Sequence, residues 1–197
     1  MIEPGGSYGE MAPAPSDAVP VTSDAEARRV LSAALAAGHD LPALVLRGGD
    51  LHRTLGAART AVPTLRVPVD LGILETEDRQ ELFLAHAVLR RRLWAGPFLI
   101  AMNAQWCGPL DLGPRSHPGD GRLDLTEGRL GPRQRLLARV RARSGTHLPH
   151  PALTTRRVQE HHFDLGRPVT AHLDGESVLT CTSGVVRVIP DAIVVHL

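Results

Sequence analysis

The chain has 197 residues, 43% hydrophobic and 22% charged, with a formal net charge of +1; this excludes a disordered chain and leaves no global field to draw nucleic acid. All 22 basic residues are arginine, so no lysine can form a Schiff base or clamp a phosphate, and 3% aromatic content is too little for a base-stacking platform. Two cysteines, Cys107 and Cys181, fit neither a zinc spacing nor a disulfide framework. No apolar run reaches the roughly 18 residues of a membrane span, and the first residues show no basic-then-apolar signal pattern, so the expected location is cytoplasmic.

Residues 1–22 are rich in Pro, Gly, Ala and Ser without periodicity, which predicts a flexible leader. "SDAEARRVLSAALAAG" then reads as a helix: Ser23 and Glu26 form a capping box, Ala27, Val30, Leu31, Ala34 and Leu35 share one face, and Gly38 ends it. "LPALVLRGGD" is a short apolar strand opening into a glycine turn, and "LHRTLGA" supplies a helical turn or two after it. This is the start of an α/β unit, with one such unit visible.

From about residue 64 the texture becomes β-rich. Segments such as "TLRVPVDLGIL", "PFLIAMNAQW", "PVTAHLDG" and "VVRVIPDAIVVHL" are short and separated by Gly, Pro and Asp, which predicts an antiparallel sandwich or barrel. Val186 and Val188 alternate with Arg187 before Pro190–Asp191, a hairpin signature. One helix, "GPRQRLLARVRARSG", interrupts the pattern, with Leu136, Leu137 and Val140 on a narrow apolar face and Gly145 as its stop. The expected organisation is a leader (1–22), a truncated α/β remnant (23–66) and a β-sandwich (67–197), mainly β overall.

The segments "RGGDLHRTLG" (47–56), "PVDLG" (68–72), "HPGDGRLDL" (117–125), "SGTHLPHPALTTRRV" (144–158), "VTAHLDGESV" (169–178) and "VRVIPDAIVV" (186–195), taken in that order, resemble those of bacterial diacylglycerol kinases and the related lipid and sphingosine kinases. "HPGDGRLDL" (117–125) is similar to their DG-hydrophobic-Leu-Asp segment, and "VTAHLDGESV" (169–178) to their DGE turn. "SGTHLPHPALTTRRV" (144–158) resembles a Gly-x-His…Pro segment, and "VRVIPDAIVV" (186–195) the last strands. "RGGDLHRTLG" (47–56) looks like the tail of a GTGND-type loop, with Asp50, Arg53, Leu55 and Gly56 matching, and "PVDLG" (68–72) like the strand after it. The resemblance covers about residues 42–197 and implies a β-sandwich of the lipid-kinase C-terminal type beside a nucleotide-binding α/β domain. The family's GGDGT phosphate loop is absent from the sequence upstream.

By this resemblance Glu176 is the general base that takes the lipid hydroxyl's proton as it attacks the γ-phosphate of ATP, with Asp174 and Gly175 forming its turn. Asp120, with the carbonyls of Leu123 and Leu125, is the implied Mg²⁺ site, since a hard cation takes oxygen ligands. Gly48, Gly49 and Asp50 are the implied nucleotide contacts. The residues alone favour ordinary hairpin turns at both acidic corners, and it is the resemblance that sets the functional reading beside them. His117 suits a turn cap, and His150, His161 and His162 suit surface positions, while His147 falls on the family's histidine. Arg133, Arg139 and Arg143 flank a narrow apolar strip and suit either a solvated helix face or an anionic lipid surface. Three functions remain open: an ATP-dependent lipid kinase acting peripherally at the membrane, a non-catalytic lipid- or partner-binding relative, or half of a split kinase completed by a second copy or a complementing nucleotide-binding chain.

Overall fold

A computed structural model of the chain describes residues 9–56 and 65–197. In order the elements are β1 (Glu10–Met11), β2 (Val19–Val21), α1 (Asp24–Ala36), β3 (Leu44–Leu46), α2 (Asp50–Thr54), β4 (Leu65–Glu75), β5 (Gln80–Phe83) and β6 (His86–Arg90). A 3₁₀ turn η1 (Arg92–Trp94), β7 (Pro97–Met102), β8 (Trp106–Cys107), β9 (Leu110–Asp111) and β10 (Leu123–Arg129) follow. The rest is α3 (Pro132–Arg141), a second 3₁₀ turn η2 (Ala142–Ser144), β11 (Leu153–Val158), β12 (Glu160–Leu173) and β13 (Glu176–His196).

Eleven strands form one curled sheet along the path β1-β4-β13-β12-β6-β7-β10-β11, with β5, β3 and β2 paired off it. Pairing is antiparallel except where β3 runs parallel to β2 and to β13. The mainly antiparallel fold expected from the sequence is present. The α/β part and the β-rich body are not separate sheets, because Leu44 of β3 pairs with Val195 of β13.

Alternation along β4 explains how one strand serves two cores. Val67, Val69, Leu71 and Ile73 face the core beneath α1 and α2, while Leu74 enters the second core with Leu125 of β10 and Phe163 of β12. Leu74 and Leu125 sit far apart along the sheet path and still share a core, so the sheet wraps round it. Gly72 is required where β4 meets β5, since a Cβ there would lie 2.1 Å from the Phe83 ring. A third, smaller core gathers Phe98, Ile100, Met102, Leu130 and Ala142. No helix among the described residues is long and apolar enough to cross a membrane.

Three sequence expectations change. Part of the expected leader joins the sheet, residues 1–8 lying outside the described residues: β1 pairs with β4, and β2 joins the sheet through β3. Val21 is fully buried, and Pro20 is tolerated because β2 is an edge strand. Three residues are too few to display alternation. Pro190–Asp191 is a bulge rather than a hairpin turn. Asp191 takes a left-handed φ of 50° and donates its N–H to Asp70 at 2.9 Å, so β13 kinks and continues along β4. Finally, Leu136, Leu137 and Val140 do not pack inward; α3 has no buried residue.

Candidate functional site

Two strand–helix junctions lie side by side at the carboxyl ends of parallel strands β2 and β3, the position where open α/β sheets bind ligands. The first junction is Thr22–Ser23–Asp24 and the second is Arg47–Gly48–Gly49. They touch: the Arg47 N–H donates to the Val21 carbonyl at 2.8 Å, and a Cβ on Gly48 would fall 2.6 Å from the Thr22 carbonyl oxygen. Gly49, at φ 99°, has room only because it lacks a Cβ, which would lie 2.6 Å from Asp24 Oδ1.

Several of the N–H groups at these junctions are already satisfied by the chain itself. Asp24 accepts from the Asp50 N–H and, at 3.2 Å, from the Leu51 N–H, the first donors of α2. Glu26 accepts from the Thr22 N–H at 2.7 Å and its hydroxyl at 2.8 Å, and Ser23 Oγ accepts from the Glu26 N–H at 3.2 Å. The Ser23 half of the expected capping box is thus present, while Glu26 reaches one residue further back.

Behind the junctions lies a buried acidic network. Asp50 bonds His86 Nε2 at 3.1 Å and accepts from the Gly108 N–H at 2.8 Å. Asp174 is buried and accepts from the N–H groups of Leu84, Ala85 and His86 at 2.8–3.2 Å, tying the β12–β13 turn to the start of β6. That turn needs the left-handed φ of 50° at Asp174 and 87° at Gly175. Glu176 follows it and pairs with Arg28 at 2.6 Å and with Arg29, both on α1.

Burial, with the nearby Asp174 and Asp50 charges, raises the Asp24 carboxyl from 3.8 to about 7, against the two N–H groups it accepts. Burial also raises Asp174, opposed by His86 and the backbone donors. For Asp50 burial raises, but the His86 and Gly108 hydrogen bonds outweigh it and hold the carboxyl below its ordinary range. For His86 burial favours the neutral ring, yet the hydrogen bonds and charges of Asp50 and Cys107 and the charge of Asp174 shift it well above its usual value. For Glu176 burial raises, but the hydrogen bonds and charges of Arg29 and Arg28 together outweigh it and lower the carboxyl.

Three solved structures from Bacillus anthracis share this architecture. Two provisionally assigned diacylglycerol kinases match at TM-scores of 0.64 and 0.58, with 13% and 12% identity, covering 91% and 79% of this chain and 77% and 69% of theirs. The fold is diacylglycerol-kinase-like. A third structure, described as a diacylglycerol kinase, matches at 0.56 with 12% identity over 79% of this chain and 66% of its own. No family model matches the sequence, and no curated protein matches it.

Within this diacylglycerol-kinase-like fold, the implied groups can be tested against the residues present. The strand–helix junction upstream of Asp50 exists, but it carries Thr22, Ser23 and Asp24 instead of a run of glycines. The Asp24 carboxylate sits instead on the first N–H groups of α2, at the Arg47–Gly49 junction, so Gly48, Gly49 and Asp50 do not fit a nucleotide phosphate. Asp120 is no better suited to Mg²⁺. It pairs with Arg157, which also holds Asp124 at 3.2 Å, and Asp124 accepts from Ser116 Oγ at 2.8 Å. A guanidinium already stands where a cation would go. Leu125 has strand partners on both sides, Ala101 and Arg156, so its carbonyl is directed into the sheet ladder; Leu123 pairs with Val158. Burial raises Asp120, against the pull of Arg157. No cluster of three metal-ligating side chains occurs among the described residues.

The structure therefore joins Glu176 and Asp50 in one network through α1 and His86, and leaves Asp120 in another with Arg157. The two acidic corners share no hydrogen-bond or ion-pair partner among the described residues. The histidines have structural surroundings. The His117 carbonyl closes the Asp120 turn at 3.3 Å, His150 Nδ1 accepts from the Ala152 N–H, His161 pairs with Glu127 and His162 with Glu160. His147 is buried, and burial lowers its pKa. Arg133 and Arg139 on α3, and Arg143 on η2, are exposed. Asp24, His86 and the capping role of Asp174 were not singled out from sequence; the signal that could have found Asp24 is its place at the start of a helix directly after "VPV", had that been read as a strand.

Proposed function

We propose that this chain is a non-catalytic relative built on the lipid-kinase fold, which acts by binding and not by phosphoryl transfer. The observation that carries the reading is the Asp24 carboxylate seated on the first N–H groups of α2, where a phosphate would have to bind. A second carboxylate, Glu26, covers the Thr22 N–H. An ATP phosphate brought here meets two acidic side chains and no lysine. Glu176 supports the same reading: two guanidiniums lower its proton affinity, whereas a general base works best with a pKa near the working pH.

Calorimetric titration of the full chain with Mg²⁺-ATP, beside a radiolabel-transfer assay on diacylglycerol-containing vesicles, tests this directly. The expected result is no heat of binding and no labelled lipid. Labelled lipid that disappears in Glu176→Gln would overturn the proposal in favour of the active kinase.

A further inference from the structure

Helix α3 is turned the wrong way for a helix that belongs to a water-soluble surface. At about 100° per residue, Leu136, Val140 and Leu137 form one stripe, and Ala138 with Ala142 of η2 falls on the opposite side. The alanines are the residues that meet the third core. The stripe points outward: Leu136 is 68% exposed, Leu137 49% and Val140 58%. An amphipathic helix ordinarily spends its apolar stripe on the body and offers water its charges. Here both go outward together.

The neighbouring turn adds to the same face. Arg135 Nη1 donates to the Leu93 carbonyl at 2.9 Å and fixes η1 beside the start of α3. Leu93 and Trp94 both adopt left-handed backbone, at φ 55° and 58°, a conformation costly for large side chains. Its result is a leucine 74% exposed.

Charge on this face has one sign. Arg91 precedes η1 and Arg92 opens it, and Arg133, Arg139, Arg141 and Arg143 surround the α3 stripe, all exposed. None forms a salt bridge among the described residues, and no Asp or Glu occurs between residues 82 and 110 or between 128 and 159. An outward apolar stripe framed by unpaired arginines matches the headgroup and acyl boundary of an anionic bilayer: leucines enter the acyl edge while guanidiniums bond lipid phosphates.

We infer that α3 and η1 form a docking face for an anionic lipid bilayer, with Leu93, Leu136, Leu137 and Val140 as the inserting side chains and Arg133, Arg139 and Arg143 as the headgroup contacts. This does not depend on the state of the nucleotide crevice, which the Mg²⁺-ATP titration reads separately.

Flotation of the full chain with phosphatidylcholine vesicles, with and without about 30% phosphatidylglycerol, tests it. Binding is expected to the anionic vesicles alone and to weaken as salt rises. The double variant Leu136→Asp/Val140→Asp, which alters no buried contact, should lower the vesicle affinity about tenfold or more, and Arg139→Glu and Arg143→Glu about fivefold each. Met11→Asp, at an exposed apolar residue outside α3 and η1, should leave binding intact. Circular dichroism confirms that each variant folds. Failure of the native chain to float with anionic vesicles, or flotation unchanged by the double variant, would overturn the inference. So would self-association that the double variant abolishes without any vesicle binding, because a second copy would then be what covers the face.

Discussion

Helices α1 and α3 carry the same kind of apolar stripe in sequence and end in opposite environments. In α1, Ala27 and Leu31 are fully buried against β2–β4, and the charged side chains of the same helix are drawn inward: Asp24 to α2, Arg28 to Glu176. In α3 the stripe faces out, and of its apolar residues Ala138 alone packs on the body, beside Ala142 of η2. The comparison teaches that periodicity reports a helix and a face, while the sheet around it decides whether that face is covered. Parallel strands on either side of α1 leave their apolar surface needing a lid; α3 is inserted between two antiparallel strands, β10 and β11, that pair with each other without it.

The sharpest way to break this contrast is to shorten one leucine on each helix. Leu31→Ala should cost about 2–5 kcal/mol of folding stability, because it opens a cavity in a closed core. Leu137→Ala should change stability by no more than about 0.5 kcal/mol. Urea unfolding of both variants decides it, and equal losses would mean that α3 is covered after all.

A second test separates the charged ends of α1. Folded Asp24 keeps its proton up to about 7 and unfolded Asp24 only to about 3.8, so its contribution to stability falls as pH rises through that window. Asp24→Asn removes the titration. The stability of the variant relative to the native chain should therefore increase between about pH 4 and 7, by up to about 4 kcal/mol, and level off above. Parallel pH curves for the two proteins would show that Asp24 does not sit in a closed joint.

How much of this was legible in the sequence differs element by element. The mainly antiparallel body was, because Val67, Val69, Leu71 and Ile73 alternate over enough residues to show a period of two. Helix α1 was, because Ser23 caps it and its apolar residues recur at helical spacing. β2 was not: "VPV" holds no period, and its order comes from pairing with residues 44–46. The candidate site divides along the same line. Glu176 and Asp50 stood out as parts of recognisable turns. Asp24 and His86 did not, since each gains meaning only from a partner 26 or 36 residues away in sequence. Nothing local marks Arg157 as the partner of Asp120, 37 residues before it.

Strand β13 has one more consequence. Its 21 residues place Val186 and Val188 in the second core and Ile193 and Val195 in the first, on either side of the Asp191 kink. Neither core can melt while the other holds that shared spine in place, so scanning calorimetry should record one peak whose van't Hoff and calorimetric enthalpies agree; the hydrophobic half under α1 has no thermal life of its own.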